Sequence, residues 1–395
     1  MRIGIDAACW SNKRGYGRFT RELLNAILDL DHDNEYVLFV DPETNTMANF
    51  PIGATRIVLD VTETPSKAAS ASGNRSLNNM WKTSRTVSRE DLDIFFYPSV
   101  YTYFPIFNKA KKIVAIHDVI AEQYPQLVFT NKKHRFFWNL KVWVATKQAD
   151  LILTVSEFSK KGITEEFKIP ENHIRVVTLA ADQIFCPVHK TGSFYETLSR
   201  FGLDTPTKFI LYVGGIAPHK NLSVLINAYS KLINRPNYTD IGLVLVGDYD
   251  KDVFLIDYKL KEQIKQLCLV DKVIFTGFIE DYELVYLYNA SYVFVLPSFC
   301  EGFGLPAVEA MACGTPVIGS KTTSLPEVVG NAGLFFDPNS ADELLEKLIY
   351  VLDNNKFREE LSQRSLQRAV TFSWQKSAVQ TLNIFKELGK NGHLS

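Results

Sequence analysis

Short runs of β-branched and aromatic residues alternate with stretches of helical periodicity along most of this chain. The alternation constrains the fold strongly, because a helix between two strands carries the chain back over the sheet and pairs the strands in parallel. Seven strands are predicted in the first half, at Arg2–Asp6, Tyr36–Val40, Ile57–Leu59, Ile94–Tyr97, Lys112–Ile116, Leu151–Val155 and Ile174–Thr178. Six are predicted in the second half, at Phe209–Val213, Gly242–Val246, Val273–Thr276, Tyr292–Leu296, Pro316–Gly319 and Gly333–Phe335. The pattern therefore predicts an α/β chain with two doubly wound parallel sheets.

A break in the alternation, marked by Pro187 and Pro206, separates the two sets of strands. The length of 395 residues allows each set its own core. We place the boundary at 187, which gives domains at 1–187 and 188–375, and we expect a C-terminal helix at about 376–395 to pack back onto the first domain. Open α/β sheets bind ligands outside the carboxyl ends of their strands, so the cleft between the domains is the expected active site.

Charge and cysteine content exclude several classes of protein. The chain carries 43 basic and 44 acidic side chains, whereas a dedicated nucleic-acid binder normally has a basic excess. Its five cysteines include no C-x-x-C pair, which fits neither a disulfide framework nor a zinc site and is typical of a reducing cytosol. No apolar stretch approaches the ~20 residues that span a bilayer. We therefore expect a cytoplasmic protein whose membrane contact, if any, is peripheral at the inner face.

The most informative segment is PSFCEGFGLPAVEAMACGTPVIGS, at 297–320, directly after a predicted strand. Gly302 and Gly304 allow a tight turn, and Pro306 suits the first turn of a helix. Backbone N–H groups near Gly304 and Leu305 would then lie at a helix N-terminus, where the helix dipole favours an anion. The segment predicts a phosphate-binding turn.

Two carboxylates, Glu301 and Glu309, flank this turn. Carboxylates in such a position can accept hydrogen bonds from pairs of sugar hydroxyls. The alternative is a helix whose early glutamate only favours the dipole. Spacing alone does not decide between them, because Glu157 and Glu165 have the same interval elsewhere.

With its glycines and prolines, the segment resembles the E-x7-E pattern of the retaining glycosyltransferases of family 4, which have the GT-B fold. The chain is similar to this family at further motifs in the same order: GYGR (Gly15–Arg18), HD (His117–Asp118), SEFS (Ser156–Ser159), YVGGIAPHKN (Tyr212–Asn221), VGD (Val246–Asp248) and SLPEVVGNAGLFFDP (Ser324–Pro338). The resemblance implies two Rossmann-like domains facing an interdomain cleft. It makes the first domain the acceptor side and the second the nucleotide-sugar-binding side.

The resemblance also implies roles for individual residues. Glu309 would bind the donor ribose, Glu301 would lie near the transferred sugar, and His117 would hydrogen-bond that sugar near its anomeric centre. Lys220 would neutralise charge on the departing diphosphate. The candidate donor-binding residues are Gly15, Gly17, Gly215, Lys220, Gly302, Phe303, Gly304, Leu305 and Glu309.

Alternatives to these roles come from the residues themselves. GYGR matches the first part of the dinucleotide-binding fingerprint G-x-G-x-x-G, but Thr20 occupies the place of the third glycine. A plain glycine turn is the other possibility. A lone histidine such as His117 is often structural. The chain departs from the family at Gly215, where many members carry a second phosphate-binding arginine, and at His219, which is often arginine. A neighbouring basic side chain is the alternative source of that charge.

Three alternating aspartates, Asp248, Asp250 and Asp252, suggest the D-x-D of a metal-dependent transferase or a calcium loop. Val253 stands where an EF-hand needs glycine, and Lys259 replaces its bidentate glutamate. We interpret the aspartates as a solvated turn. No metal and no cofactor is expected, since the nucleotide-sugar is a substrate.

Basic and aromatic residues are mixed from Asn131 to Gln148. One interpretation is a helix on a peripheral membrane surface or against the acceptor. The candidates are Lys132, Lys133, Arg135 and Trp138. The other interpretation is a core helix with basic residues towards solvent.

The predicted function is transfer of a hexose from a nucleotide-sugar to a glycan or lipid-linked acceptor, with retention implied by the resemblance. The GGIAPHKN segment resembles that of bacterial polysaccharide mannosyltransferases, which favours GDP-mannose as the donor. Two alternatives stay open. One is a GT-B-like sugar-nucleotide epimerase or phosphorylase, and the other is a non-catalytic glycan-binding protein.

Overall fold

The computed structural model describes residues 1–12, 15–47, 50–51, 53–62, 76–129, 131–203, 208–247 and 258–391. The chain forms two compact units. The first comprises Met1–Leu179 together with the chain from Ser373 onward, and the second comprises Ala180–Phe372. Each unit is built on one parallel sheet with helices as crossovers.

The first unit contains a seven-stranded sheet in the order β3-β2-β1-β4-β5-β6-β7. Its strands are β1 (Arg2–Asp6), β2 (Glu35–Val40), β3 (Thr55–Val58), β4 (Ile94–Tyr97), β5 (Lys111–Ala115), β6 (Leu151–Thr154) and β7 (Ile174–Val176). Its first helices are α1 (Gly15–Leu30), α2 (Pro42–Asn45), α3 (Leu77–Ser88), α4 (Ile120–Gln123), α5 (Pro125–Val128), α6 (Lys132–Gln148) and α7 (Glu157–Phe167). Central strands such as β4 are buried throughout, because helices cover both faces of a parallel sheet.

The second unit contains a six-stranded sheet in the order β10-β9-β8-β11-β12-β13. Its strands are β8 (Phe209–Val213), β9 (Gly242–Val246), β10 (Val273–Gly277), β11 (Val293–Leu296), β12 (Val317–Ser320) and β13 (Gly333–Phe336). Its helices are α8 (Gly192–Arg200), α9 (Leu222–Ile233), α10 (Tyr258–Gln266), α11 (Asp281–Ala290), α12 (Leu305–Ala312), α13 (Leu325–Val329), α14 (Ala341–Asp353) and α15 (Asn355–Ala369). The two sheets confirm the prediction of two doubly wound α/β units.

The last helix, α16 (Trp374–Asn391), belongs to the first unit. The Phe385 ring is fully buried, and its centroid lies 5.9 Å from that of Phe96 in β4. The Ser377 hydroxyl donates to the Thr178 carbonyl at 2.6 Å. Burial of aromatic surface against the sheet therefore holds α16 on the first unit.

The division between the units falls at 179/180, not at the expected 187. The backbone just before 187 is tied to the second unit, since the Asn289 side-chain amide donates to the Cys186 carbonyl at 3.0 Å and accepts from the Val188 N–H at 3.0 Å. The Phe185 ring also packs edge-on against Tyr288 at 5.7 Å. Proline at 187 marks a change of element inside the second unit.

Each sheet reverses its strand order once. Strand β1 has β2 on one side and β4 on the other, and β8 has β9 on one side and β11 on the other. Loops that leave neighbouring strands at such a reversal diverge and open a crevice at the carboxyl ends. In the second unit, this crevice is formed by the segments that follow Val213 and Leu296.

Candidate active site

The segment after β11 forms the predicted strand, turn and helix, and α12 begins at Leu305. Gly304 at the helix N-cap has a φ of 88°. A Cβ at this position would lie 2.5 Å from Leu325 Cδ2, so both the backbone conformation and the space require glycine. Pro306 has no N–H and the Ala307 N–H donates to the Gly304 carbonyl at 2.9 Å, so the Leu305 N–H and the positive end of the helix dipole are what the N-terminus of α12 offers beside the turn.

Glu301, in the turn before α12, receives two hydrogen bonds on one carboxylate oxygen. The Ser298 hydroxyl donates to Oε1 at 2.5 Å, and the Lys220 ammonium donates to the same atom at 2.8 Å. The Glu301 side chain is only 10% exposed, so the ion pair lies largely out of water. The carboxylate is held by one donor from its own segment and one from the segment after β8.

Glu309, on α12, is buried and accepts a hydrogen bond at Oε2 from the Tyr288 hydroxyl at 3.0 Å. Tyr288 lies on α11 and is itself fully buried. Tyr288 is thus one donor that Glu309 has from another helix, whereas Lys220 and Ser298 donate to Glu301.

Lys220 ends a short 3₁₀ turn, Pro218–Lys220, after β8. Its neighbour Asn221 has a left-handed backbone and donates through Nδ2 to the carbonyls of Pro297 and Pro338 at 3.1 and 2.7 Å. The Phe299 N–H donates to the His219 carbonyl at 3.0 Å. These bonds fasten the Lys220 turn to the Glu301 turn and fix the ion pair between them.

His219 does not supply the second cation that the sequence leaves open. Its ring is buried, and burial, followed by the nearby charge of Lys220, lowers the pKa of His219 well below its ordinary value. The ring is therefore neutral at physiological pH. Gly215 has no side chain to contribute, and its carbonyl accepts a hydrogen bond from the Tyr212 hydroxyl at 2.7 Å.

Two further donor candidates, Phe303 and Gly302, are buried in the turn. The Phe303 ring packs edge-on against Phe372 with centroids 5.5 Å apart. Its side chain therefore anchors the turn in the core of the second unit.

In the first unit, His117 follows β5 and donates through Nε2 to the Pro98 carbonyl at 2.9 Å. A carbonyl only accepts, so the proton of the neutral ring lies on Nε2 and Nδ1 carries a lone pair. Burial lowers the pKa of His117 to about 4, against the opposing bond to Pro98. The Phe19 ring packs edge-on against the imidazole at 4.7 Å and helps to fix its plane.

GYGR forms the first turn of helix α1 and is not an isolated glycine turn. Gly17 is required by a close approach, because a Cβ there would lie 2.0 Å from the Asn12 carbonyl oxygen. Gly15 has no such constraint. The Tyr16 hydroxyl accepts from Asn12 Nδ2 at 2.6 Å, and its ring stacks on Tyr101 at 5.1 Å.

Helix α6 carries its large apolar side chains on the outside. Phe136, Phe137, Leu140 and Trp143 are 45–63% exposed. Lys132, Lys133, Arg135 and Lys147 are also exposed, and only Val142 and Ala145 among its residues are buried. The basic residues face solvent, as the core-helix interpretation expects, but four large apolar side chains face solvent with them.

Trp138 differs from the other candidates on α6. It is partly buried against the core of the first unit, and its indole N–H donates to Glu122 Oε1 at 2.7 Å. The helical period turns it away from Phe136, Leu140 and Trp143. Trp138 is therefore a packing residue and not part of the exposed face.

Three residues that contact the candidates were not predicted from the sequence: Ser298, Tyr288 and Glu122. Ser298 stands three residues before Glu301 in the same motif, so its position in the sequence could have suggested the contact. Tyr288 and Glu122 gave no local signal, since Glu309 is 21 residues away from the first and Trp138 is 16 residues away from the second. Burial, followed by the charges of Asp118 and Glu166 against the Trp138 bond, raises the pKa of Glu122 to about 7.

Over the part of the chain that the structure describes, no group of three or more His, Cys, Asp or Glu side chains is arranged to hold a metal ion. Asp248, Asp250 and Asp252 lie outside the described residues. Within the same ranges, no helix combines the length and the apolar character that crossing a membrane requires.

Comparison with known proteins agrees with this arrangement. Residues 13–182 match the family model "Glycosyltransferase Family 4", and residues 196–368 match "Glycosyl transferases group 1". The chain is 33% identical over 280 residues to O-antigen chain mannosyltransferase B of Escherichia coli, which is 70% of this chain and 71% of that protein. Two Rossmann-like units with these matches define a GT-B glycosyltransferase. The chain belongs to glycosyltransferase family 4.

Two further comparisons bear on the fold. The serotype-specific mannosyltransferase WbdA of Escherichia coli is 28% identical over 288 residues, which cover 70% of this chain and 34% of that longer protein. The solved structure of sucrose-phosphate synthase from Thermosynechococcus elongatus matches with a TM-score of 0.76 and 19% identity over 98% of this chain and 99% of that chain. At this identity, the second likeness shows the GT-B fold alone.

Proposed function

We propose that this glycosyltransferase moves mannose from GDP-mannose to a glycan or lipid-linked acceptor in bacterial polysaccharide biosynthesis, with retention at the anomeric carbon. The observation that carries the proposal is the cluster of Lys220, Glu301 and Ser298 beside the N-terminus of α12. Similarity to an O-antigen mannosyltransferase supports the sugar, and the GGIAPHKN segment supports the nucleotide.

The donor diphosphate is the group that this cluster suits. The Lys220 ammonium is a compact charge on a flexible stem, and the α12 N-terminus adds the positive end of a helix dipole. Together they stabilise the negative charge that develops on the departing diphosphate. We propose that no metal ion is needed for this step.

The two glutamates divide the rest of the donor. Glu309, held by the neutral Tyr288, binds the ribose hydroxyls, and a sugar diol can donate both of its hydrogens to one carboxylate. Glu301, adjacent to the Lys220 charge, lies nearer the diphosphate end and stabilises the positive charge that develops at the anomeric carbon. The neutral ring of His117 accepts, through Nδ1, a hydrogen bond from a hydroxyl of the transferred sugar.

Retention is proposed to follow from a front-face substitution. The bond from the anomeric carbon to the diphosphate oxygen breaks, and the acceptor oxygen bonds the same carbon on the same face. The acceptor proton passes to the departing phosphate oxygen. Lys220 and the positive end of the α12 dipole stabilise that oxygen until it is protonated.

A donor screen in EDTA tests the proposal. Nucleotide release is measured with GDP-mannose, UDP-glucose and UDP-N-acetylglucosamine, with and without mannose-terminated glycans. We expect GDP-mannose to be consumed fastest, and Lys220→Met to lower kcat by about 10²-fold, the size expected for one lost electrostatic stabiliser. Lys231→Met is the matched control, since Lys231 forms an exposed pair with Asp342. Consumption of another donor only, or complete dependence on added Mn²⁺, would overturn the assignment.

We also propose that the exposed face of α6 contacts an anionic membrane. Four large apolar side chains flanked by Lys132, Lys133 and Lys147 combine apolar insertion with attraction to anionic lipid headgroups. This contact would bring the enzyme to a lipid-linked acceptor.

Vesicle flotation at low and high salt tests the membrane contact. The triple variant Lys132→Ser, Lys133→Ser, Arg135→Ser is expected to lose binding to vesicles that contain anionic lipid. The control is Arg89→Ser, Lys109→Ser, Lys161→Ser, which makes the same charge change on exposed residues outside α6. Equal binding by both triple variants would refute the role of α6.

A further inference from the structure

We propose that Ser298 is a positioning residue that holds the Glu301 carboxylate while Lys220 transfers from Glu301 to the donor diphosphate. The inference rests on the proposed function of this site and adds a residue and an exchange of partners to it. It starts from one atom, Glu301 Oε1, which accepts from both Ser298 and Lys220.

The two donors differ in how easily they can leave. Ser298 is fully buried, stands two residues after the end of β11 and has a single rotatable bond before its hydroxyl. Lys220 lies in the segment after another strand, β8; it retains 20% exposure and has a four-carbon stem. Motion of the lysine is therefore far less restricted than motion of the serine.

A diphosphate competes with Glu301 for the same ammonium. In the structure, Lys220 is paired with Glu301 at 2.8 Å. A diphosphate carries more negative charge than a carboxylate, so its arrival draws Lys220 away. A largely buried carboxylate that loses its cation is strongly destabilised unless other donors remain. The Ser298 hydroxyl is the donor that remains on Oε1.

Loss of the Ser298 hydroxyl therefore has two expected effects. Glu301 would retain Lys220 more tightly, which weakens binding of the nucleoside diphosphate. Glu301 would also lose its fixed orientation when Lys220 does leave, which lowers kcat. Each effect is expected to be about tenfold, the size of one hydrogen bond to a charged group.

The experiment compares Ser298→Ala, Glu301→Gln and the double variant by calorimetry with GDP and by steady-state kinetics. Glutamine at 301 does not hold the ammonium as an ion pair, so the double variant is expected to bind GDP as Glu301→Gln does. Ser298→Thr retains the hydroxyl and is expected to restore GDP affinity relative to Ser298→Ala. Ser365→Ala is the matched control, because this buried hydroxyl of the second unit donates only to the Ala332 carbonyl at 3.3 Å, outside the site; its kcat and GDP affinity should equal those of the wild type.

The outcomes separate the inference from the proposed function. Weaker GDP binding by Ser298→Ala that is relieved in the double variant supports the inference, even if the sugar transferred is not mannose. GDP binding by Ser298→Ala equal to that by Ser365→Ala overturns it. Independent, additive losses from Ser298→Ala and Glu301→Gln overturn it as well, because they would mean that the serine does not act through Glu301.

Discussion

Replacing Glu122 with glutamine should change the pH dependence of stability in the first unit. Burial is the main cause that raises the pKa of this carboxyl from 4.5 to about 7. The unfolded chain loses the proton near pH 4.5 and the folded unit keeps it until about pH 7, so this contribution to stability is complete below pH 4.5 and is lost as the pH rises to 7. The difference between a pKa of 4.5 and one of about 7 corresponds to about 3 kcal/mol of unfolding free energy.

His117 acts in the opposite direction in the same unit. Burial lowers its pKa from 6.5 to about 4. The unfolded chain takes up a proton below pH 6.5 and the folded unit does not until about pH 4, so this contribution is present above pH 6.5 and is lost as the pH falls. Between pH 4.5 and 6.5 the two slopes oppose each other. Glu122→Gln removes the pH dependence of stability that comes from Glu122 and leaves the one that comes from His117.

Urea unfolding followed by tryptophan fluorescence measures this directly, because Trp10, Trp81, Trp138, Trp143 and Trp374 all lie in the first unit. The glutamine variant keeps an acceptor for the Trp138 N–H. It is expected to equal the wild type at pH 4 and to exceed its unfolding free energy by about 3 kcal/mol at pH 8. Glu165→Gln, at an exposed position of α7, is the control for the loss of one carboxylate charge. Parallel profiles for Glu122→Gln and the wild type would refute the reasoning.

Two further predictions concern the second unit. Glu309→Gln is expected to weaken GDP binding and raise the donor KM, whereas Glu301→Gln is expected to lower kcat by about 10²-fold; calorimetry beside kinetics distinguishes them, and the reverse pattern would exchange the two roles. Gly304→Ala is expected to destabilise the α12 turn by about 2 kcal/mol, because its φ is 88° and a Cβ would contact Leu325. The measurement is amide hydrogen exchange in residues 305–312, which is expected to be faster in Gly304→Ala. Gly192→Ala is the control, because nothing lies within 4 Å of a Cβ added at that position. Equal exchange in the two variants would contradict the prediction.

The strands could be predicted from the sequence because parallel strands are buried on both faces and show as continuous apolar runs, as Val293–Leu296 does. The α12 turn could be predicted because glycine and proline stand where a left-handed cap and a first helical turn require them. In both cases, the deciding forces act within a few residues.

Elements that depend on distant contacts could not be predicted. The start of α3 at Leu77 falls in a stretch without apolar period, and Leu77 itself is exposed. GYGR has two poor helix formers, yet it opens α1, where Gly17 meets the backbone of Asn12. On α6, the period defines faces but does not say which face packs inward, and the bond from Trp138 to Glu122 decides it.

The same limit applies to the candidate site. The sequence motifs identified Glu301, Glu309 and Lys220 as separate candidates. They did not predict that Lys220 and Ser298 donate to the same oxygen of Glu301. That contact requires β8 and β11 to be neighbours in the sheet, which is a property of topology.

The anomeric configuration of the product tests the central claim most directly. GDP-mannose is incubated in EDTA with a mannose-terminated glycan, and the new linkage is assigned from its one-bond carbon–hydrogen coupling by NMR. We predict a mannoside with the same anomeric configuration as the donor, formed by the wild type and reduced by about 10²-fold in Glu301→Gln. A product of inverted configuration, or release of GDP to the same extent in the wild type and in Glu301→Gln, would contradict the account.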